Sequence, residues 1–520
     1  MARVSSTHLT FGPDPATSMT VSWLGGASSP VLYAPVDAGA VDGSAAVDTP
    51  GSTDAGLWVP DDAERAAPTS SLSRGPGRRR VQVEHARLTG LRPGTRYRYA
   101  VAEDAESGGA VTGEFRTAPA PGGDEPFTFT CFGDHGTDAP DDPYGTHASR
   151  AVVAAVDQFD PLFHLALGDL SYASLRRDPP AAWEDWFQMI SPSARRRPWM
   201  PVAGNHESER GAGKFGLTPY QAYFVPPANG AGADYEGLWY AFTVGRARFV
   251  MLFGEDVCYQ DHGEVYLRGF SGGRQTAWLE RTLREARADA TLDWVIVGLH
   301  QVAVSTAAYH NGGDLGLREE WLPLFDRYGV DLVLCGHEHH YERTRPVRGF
   351  VPGSTELTPQ PAVPSPPAAA VVGTTHLTPA NPTPSSPAPS ASAQARPAPT
   401  AAGPERVDTT QGTVHVTIGT GGSSSPSSEA LLEPPAGRVV VDAEKQRGNR
   451  RRTVYRLEQA PWLAARSTDH PYAFAVLQVD PGLPGGMTAI RLAVHDTLKP
   501  DEPPFDEVIL TRPRRDSAQA

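Results

Sequence analysis

The sequence predicts an all-β sandwich domain followed by an α/β domain with two sheets flanked by helices. Three observations support this. Residues 1–118 contain short segments that alternate apolar and polar residues, such as THLTFG and SMTVSW. From residue 126, apolar strand-like segments such as PFTFTCFG alternate with helical segments such as HASRAVVAAVDQF. Polar residues then stand directly after several of these strand-like segments.

The N-terminal segment has the turn signals of a sandwich. RVQVEHARLTG and TRYRYAVAEDA read as two strands separated by Arg92-Pro93-Gly94. Proline fixes φ for such a turn, and glycine allows the positive φ beside it. Regular short strands with turns of this kind are typical of a β-sandwich. We therefore expect a domain over residues 1–118 and a linker over residues 119–125.

The α/β domain is predicted over residues 126–512. Its strand-like segments include PLFHLALG, WMPVAG, DWVIVGLH and VDLVLCG, and its helical segments include AAWEDWFQMI and RQTAWLERTLREARA. Residues 352–404 interrupt this pattern with more than a quarter of the 50 prolines of the chain and almost no charge. Such a composition buries little apolar surface, so we predict a disordered insert there. A second loose stretch is expected over residues 423–468.

Composition limits the classes of partner. The chain has 520 residues and a formal net charge of -14, so a nucleic acid, which is itself anionic, is not expected as a partner. No apolar run approaches the roughly 18 residues of a membrane span. The start, MARVSSTHLTFGPDP, has no apolar signal core. The chain is therefore expected in the cytoplasm as written, or secreted if its true start lies upstream, and its oligomeric state is left open.

Five motifs carry the candidate chemistry, and each follows a predicted strand. They are Gly133-Asp134-His135-Gly136, Gly168-Asp169-Leu170-Ser171-Tyr172, Gly204-Asn205-His206-Glu207, Val297-Gly298-Leu299-His300 and Gly336-His337-Glu338-His339. In open α/β sheets, ligands bind at the carboxyl ends of the strands. Each motif alone is more often a turn, a cap or a loop. Two Asp, one Asn and three His at strand ends are together better explained by a metal site.

The donor types indicate which metals fit. The set offers oxygen and nitrogen ligands without a thiolate, which suits hydrolytic divalent or trivalent metals rather than a Cys-rich structural zinc site. Seven ligands can serve two metals if one carboxylate bridges them. Paired metals are a recurring device for phosphoryl hydrolysis.

The five motifs, in this order, resemble the metallophosphoesterase signature. Their particular forms, Asp-x-Gly, Gly-Asp-x-x-Tyr, Gly-Asn-His-Glu, Val-x-x-His and Gly-His-x-His, resemble those of purple acid phosphatases. The opening HLTFGPDPATSMTVSW is similar to the start of that family's fibronectin-III-like N-terminal domain. Other members of the wider superfamily have Asp-x-His at the first motif and lack the tyrosine, so Gly136 and Tyr172 favour the purple type.

The resemblance implies a dinuclear centre of Fe(III) and a second divalent metal, which is Zn, Mn or Fe. In this sequence it implies Asp134, Tyr172 and His339 as ligands of Fe(III), Asn205, His300 and His337 as ligands of the second metal, and Asp169 as the bridge. His206 and His310 are the implied catalytic residues, of which His206 protonates the leaving group or orients the phosphate. For His310 the competing interpretation is a solvated loop histidine.

The implied function is acid phosphatase activity on small phosphate monoesters. A phosphodiesterase or nucleotide pyrophosphatase on the same centre is the alternative within enzymes. A binding or adhesion protein with a vestigial metal site is the alternative from another class.

Overall fold

The structure is a computed structural model, and it describes residues 4–25, 30–36, 63–74, 80–102, 110–140, 142–260, 265–309, 311–363, 403–446 and 451–515. The strands of the N-terminal domain are β1 (Ser5–Phe11), β2 (Ser18–Leu24), β3 (Val31–Pro35), β4 (Glu64–Ala66), β5 (Pro68–Arg74), β6 (Arg80–Thr89), β7 (Arg96–Ala102) and β8 (Ala110–Arg116). They pair in the orders β1-β2-β6-β5 and β4-β3-β7-β8. The predicted all-β N-terminal region is confirmed.

The α/β domain contains the remaining strands. These are β9 (Phe127–Phe132), β10 (Phe163–Ala166), β11 (Trp199–Pro201), β12 (Tyr240–Val244), β13 (Ala247–Met251), β14 (Trp294–Leu299), β15 (Gly313–Asp314), β16 (Leu332–Cys335), β17 (Tyr341–Thr344), β18 (Val347–Phe350), β19 (Pro359–Pro361), β20 (Glu405–Asp408), β21 (Val414–Ile418), β22 (Ala436–Lys445), β23 (Arg451–Gln459), β24 (Leu463–Arg466), β25 (Ala473–Asp480), β26 (Met487–Asp496) and β27 (Asp506–Pro513). Its helices are α1 (His147–Asp157), α2 (Pro179–Ala194), α3 (Thr218–Tyr223), α4 (Arg274–Ala288), α5 (Leu315–Glu320) and α6 (Leu322–Tyr328).

Two seven-stranded sheets pack face to face in this domain. Their strand orders are β11-β10-β9-β25-β26-β27-β20 and β12-β13-β14-β16-β21-β17-β24. Their inner faces share one apolar core, in which the ring of Phe129 on β9 meets Phe249 on β13 edge to face at 5.2 Å. Helices such as α2 and α4 cover a second core on the outer faces, with Trp186 and Leu279 buried. Apolar residues on both faces are typical of such double-sided sheets, and the predicted fold class is confirmed.

The two domains dock through buried polar and aromatic contacts. His8 Nε2 lies 2.9 Å from the carbonyl oxygen of Tyr223, and the Tyr99 hydroxyl donates to the carbonyl oxygen of Arg195 at 2.9 Å. The Phe11 ring of β1 packs edge to face on Phe163 of β10 at 5.4 Å. The N-terminal domain therefore rests against α2, α3 and the first sheet of the α/β domain.

Strand direction brings the motif loops together. β9, β10 and β11 pair in parallel, and β13, β14, β16 and β21 also pair in parallel. The motif loops follow the carboxyl ends of β9, β10, β11, β14 and β16, so they emerge at one edge of the sandwich.

Two predictions about loose segments need correction. The predicted insert over residues 352–404 begins too early, because β19 pairs with β18 and the Arg318 guanidinium donates to the carbonyl oxygen of Glu356 at 2.8 Å. Residues 364–402 lie outside the described part of the chain.

The predicted loose stretch over residues 423–468 is wrong, since β22 and β23 form a hairpin there. A buried bidentate ion pair between Arg318 and Glu458 anchors that hairpin. The two residues are far apart in the chain, so composition does not reveal this contact.

Two further findings concern the cysteines and the helices. Cys131, Cys258 and Cys335 are all buried free thiols, and burial raises the pKa of each. Such thiols are inert. In the described ranges, no helix is both long and apolar enough to cross a bilayer.

Candidate metal centre

The backbone turns sharply where the site residues leave their strands. Asp134, Asp169, Tyr172 and His337 all have positive φ values, of 57°, 50°, 52° and 70°. A positive φ raises the conformational energy of a residue that has a Cβ. Such residues are found at functional sites, where the surrounding structure enforces the conformation. Here the turn directs each side chain back over the strand ends.

Two glycines allow the loops to approach one another. A Cβ on Gly204 would lie 2.3 Å from Asp169 Oδ1. Gly168 has a φ of +83°, and its Cβ would lie 2.5 Å from Nδ1 of His300. Any side chain at these positions would push the carboxylate and the imidazole apart, so the glycines are required for a compact site.

One group of side chains gathers around Asp134. The Tyr172 hydroxyl lies 3.4 Å from Asp134 Oδ1, and His339 Nε2 lies 3.1 Å from the same oxygen. The Tyr172 oxygen and His339 Nε2 are 3.2 Å apart. The second oxygen of Asp134 accepts the backbone N–H of His337 at 2.7 Å. An aspartate, a tyrosine and a histidine thus converge on one point.

A second group gathers beside it. His300 Nε2 lies 3.1 Å from Asn205 Oδ1, 3.1 Å from His337 Nδ1 and 3.3 Å from Asp169 Oδ1. Donor atoms of Asp134, Asp169 and His300 all lie within 4.8 Å of one another, which links the two groups. Asp169 is thus close to both groups.

The hydrogen bonds at the back of each imidazole fix where its lone pair points. His300 Nδ1 is 2.7 Å from the carbonyl oxygen of Leu167, and His339 Nδ1 is 2.7 Å from that of Ser425. A carbonyl only accepts, so these nitrogens carry the protons, and in the neutral rings Nε2 carries the lone pair. His337 Nε2 contacts Gln260 Oε1 in the same manner.

The lone pairs of these rings therefore face carboxylate and amide oxygens at about hydrogen-bond distance. Acceptors that crowd together without a shared proton repel one another unless a cation lies between them. Histidine ligands held by a hydrogen bond from the other ring nitrogen are the usual arrangement at metal sites. The residues present fit a metal centre of oxygen and nitrogen donors.

The electrostatics of the pocket favour positive charge. Burial by itself lowers the pKa of His300, but the carboxylates of Asp169 and Asp134 outweigh it and raise that pKa to about 10. Burial likewise works against ionisation of Asp169, yet the His300 and His206 rings hold its pKa well below the usual range. The buried carboxylates thus stabilise a cation in the pocket, whether a proton or a metal ion.

His206 lies at the open side of this pocket. Its Nε2 is 3.8 Å from Asp169 Oδ2, its Nδ1 is 3.0 Å from the Ser174 hydroxyl, and its side chain keeps 17% exposure. Its ring tilts against that of Tyr172 at 4.8 Å. Burial lowers its pKa, with Asp169 opposing that effect. His310 lies outside the described residues, so its predicted role is not tested.

Glu207 holds two of the loops together. Its carboxylate accepts the backbone N–H groups of Asp169 at 2.8 Å, Leu170 at 2.9 Å and Gly204 at 2.8 Å. Burial and the nearby Asp169 raise its pKa to about 8. Glu338 is also buried, and one of its oxygens accepts the N–H of Gly312. Both glutamates therefore orient neighbouring backbone N–H groups.

Other residues at the site carry no sequence motif. Gln260 contacts His337 Nε2 and also donates to the carbonyl oxygen of Gly312 at 2.8 Å. The Tyr144 ring stacks on Tyr172 at 6.0 Å. Both lie in irregular segments away from the five motifs, and only the tertiary contacts reveal them.

The amino-acid sequence matches two family profiles. Residues 127–341 match the calcineurin-like phosphoesterase profile, and residues 4–117 match the N-terminal domain of purple acid phosphatases. The chain belongs to the purple acid phosphatase family. It is therefore a phosphoester hydrolase of the metallophosphoesterase type, as the motifs indicated.

Individual proteins and a solved structure are similar to this chain. An uncharacterized protein of Mycobacterium tuberculosis is 39% identical, and the match covers 98% of this chain and 88% of that protein. Purple acid phosphatase 23 of Arabidopsis thaliana is 27% identical over 52% of this chain and 59% of its own length. The structure of the yellow lupin purple acid phosphatase PPD1 superposes with a TM-score of 0.63 at 20% identity, covering 99% of this chain and 75% of that one. That structure supports the fold.

Proposed function

We propose that the protein is an acid phosphatase that hydrolyses small phosphate monoesters with a dinuclear metal centre. The observation that carries the proposal is the convergence of lone pairs from three histidines onto a pocket shared with Asp134 and Asp169. Five separate loops contribute to this pocket, and the ordinary packing needs of a core would not bring them together. Asp134, Tyr172 and His339 would hold Fe(III), and Asn205, His300 and His337 a second divalent metal, with Asp169 as bridge.

When bound, such metals neutralise phosphate charge and supply a water-derived nucleophile near neutral or acid pH. The protein residues contribute orientation and proton transfer. His206 stands at the rim with its Nδ1 held by Ser174, so its Nε2 is free to approach a phosphate or a leaving-group oxygen. A buried histidine that loses its proton readily is also a strong proton donor while it remains charged, which suits acid conditions.

Metal analysis of the purified protein, combined with a hydrolysis assay, tests the proposal. We expect about two metal ions per chain, one of them iron, and higher kcat/KM for a monoester such as p-nitrophenyl phosphate than for bis-p-nitrophenyl phosphate. A preference for the diester or for a nucleotide pyrophosphate would replace the monoesterase assignment. Protein with bound metals but no hydrolysis of any ester would favour the binding or adhesion alternative.

A matched pair of variants separates the role of His206 from general damage. His206→Ala should lower kcat by about 10²–10⁴-fold, the range for loss of a general acid, and leave the metal content unchanged. His147→Ala, at the first residue of α1 outside the pocket, is the control and should leave both unchanged. Equal activity of the two variants would remove His206 from the mechanism.

A further inference from the structure

A cleft of about 410 Å³ lies between the two domains, remote from the metal centre. Phe127, Leu162 and Arg197 line it, and they stand at the amino-terminal ends of β9, β10 and β11. The metal ligands follow the opposite, carboxyl ends of the same strands. The cleft is therefore a separate feature at the other edge of the sheet. Its size falls within the range of small-molecule sites.

The walls of the cleft are rich in arginine. Arg96 and Arg116 come from the N-terminal domain, and Arg196 and Arg197 come from the loop that joins α2 to β11. Two acidic residues, Glu114 and Asp160, also line it, so the lining has four arginines against two carboxylates in a chain whose net charge is -14. Prolines and phenylalanines form an apolar floor.

Arg96 and Arg116 form an unfavourable pair. They are directly opposite each other on the antiparallel strands β7 and β8. Like charges at directly opposed positions destabilise a sheet. The next pair on this face, Arg98 with Glu114, has opposite charges and forms an ion pair. The repulsion at the cleft is therefore specific to this position.

Neighbouring carboxylates compensate this pair weakly. Arg96 forms no ion pair with any residue in the described part of the chain. Arg116 reaches Glu125 at 3.5 Å, and both side chains are more than half exposed, at 53% and 60%. Such surface pairs contribute little. Apart from a hydrogen bond from Arg116 Nε to the carbonyl oxygen of Gly94 at 3.3 Å, the two guanidinium groups are available to an anion that enters the cleft.

The opposite wall is held in place. Arg197 is 16% exposed and lies 2.7 Å from Asp160 and 3.6 Å from Asp157. Arg196 lies 3.1 Å from Asp157 and is about half exposed. This wall therefore offers one fixed and one more adaptable guanidinium, across the cleft from the repelling pair.

We propose that this cleft binds a small anion that carries two or more phosphate-type groups and bridges the two domains. Arg96 and Arg116 would hold one group, and Arg196 and Arg197 the other, because planar guanidinium groups pair with phosphate oxygens in bidentate fashion. Two groups are required because the four cations stand on two walls. An anion here relieves the repulsion between β7 and β8 and ties the N-terminal domain to the catalytic sheet. The proposal does not depend on the catalytic activity.

Titration calorimetry and thermal unfolding with methylenediphosphonate, which a phosphatase does not hydrolyse, test the site. The probe also has access to the metal centre, so the informative quantity is the difference between wild type and Arg96→Gln/Arg116→Gln. We expect the double variant to lose one binding event, or to bind the probe at that site at least tenfold more weakly. The rise in Tm that accompanies this binding in wild type should be lost as well. Arg348→Gln, an exposed arginine on β18, should behave as wild type. Inorganic phosphate, with one group, should bind the cleft at least tenfold more weakly.

A second variant guards against a folding defect. Arg96→Glu places opposite charges at the repelling pair, so the strands should pair at least as well as in wild type while the site is lost. Identical binding and identical Tm shifts in wild type and both cleft variants would overturn the proposal. If the variants differ as expected while wild type hydrolyses no ester, the cleft site stands and the proposed function fails.

Discussion

The hydroxyl oxygen of Tyr172 lies 3.2 Å from Nε2 of His339, although 167 positions separate the two residues in the chain. Tyr172 follows β10 and His339 follows β16, in different sheets. Their meeting requires the positive φ of Tyr172 and the packing of both sheets on one core. Under the proposed function, this contact would bring a phenol ligand to the metal centre, and other metal sites lack such a ligand.

Tyr172→Phe should abolish the visible colour of the iron-loaded protein, because a phenolate bound to Fe(III) is the source of the charge-transfer band. The second metal should remain, since none of its proposed ligands changes. An absorption spectrum and metal analysis measure both effects. Tyr144→Phe, which keeps the stacked ring, is the control and should retain the band. Colourless, fully active wild-type protein that contains only Zn or Mn would refute the purple assignment.

Asp169→Asn should remove most of the metal and nearly all activity, because Asp169 is the proposed bridge between the two metals. The amide is also neutral, so the pocket loses a charge that stabilises a cation. Metal content after dialysis and kcat are the measurements. Asp138→Asn, a partly exposed aspartate paired with Arg150 outside the pocket, should change neither. Full occupancy of both metals in Asp169→Asn would argue against a bridging role.

Glu207→Gln should weaken the link between the loops after β10 and β11. The side-chain amide would point its own N–H groups at a backbone donor, so at least one of three buried N–H groups loses its acceptor. We expect the free energy of unfolding to fall by about 2–3 kcal/mol and metal affinity to fall about 10–100-fold. Urea unfolding and metal titration check this, with the exposed Glu280→Gln as control. Unchanged metal affinity would limit Glu207 to a structural role.

Arg318→Met should lower the free energy of unfolding by about 3–5 kcal/mol, because it leaves the buried carboxylate of Glu458 without its bidentate partner. Arg327→Met breaks a pair with Glu280 whose side chains are 62% and 41% exposed, and should cost about 1 kcal/mol or less. Urea unfolding of the two variants compares them directly. Similar losses would mean that the buried pair does not anchor the hairpin of β22 and β23.

Glu209 predicts a pH dependence of stability. Burial raises its pKa to about 7, against a small opposing effect of its hydrogen bond from Trp183. The folded state therefore binds more protons than the unfolded state between about pH 4.5 and 7, and the unfolding free energy falls as pH rises through that window. The side chain introduced by Glu209→Gln stays neutral at every pH. The unfolding free energy of the variant, relative to that of wild type, should therefore rise by up to about 3 kcal/mol from pH 4.5 to pH 8. Urea unfolding at both pH values measures this gain, and a constant difference would contradict it.

The sequence allowed the site to be predicted much better than its surroundings. The residues after β9, β10, β11, β14 and β16 stand in short motifs, and a parallel sheet brings its carboxyl ends to one edge whatever the remaining sequence. The hairpin of β22 and β23 was missed because its polar, glycine-containing segment resembles a loop. It is ordered by a buried ion pair with α5, more than a hundred residues away.

By itself the sequence determined the class of the two domains, the donor atoms and the order in which the motifs follow the strands. These depend on local periodicity and on residues adjacent in the chain. The tertiary structure alone decided which nitrogen of each imidazole faces the pocket, that Gln260 contacts His337, which backbone groups Glu207 binds, and that four arginines from two domains line one cleft. Those features depend on distances between segments far apart in the chain, which are set only when both sheets and both domains pack together.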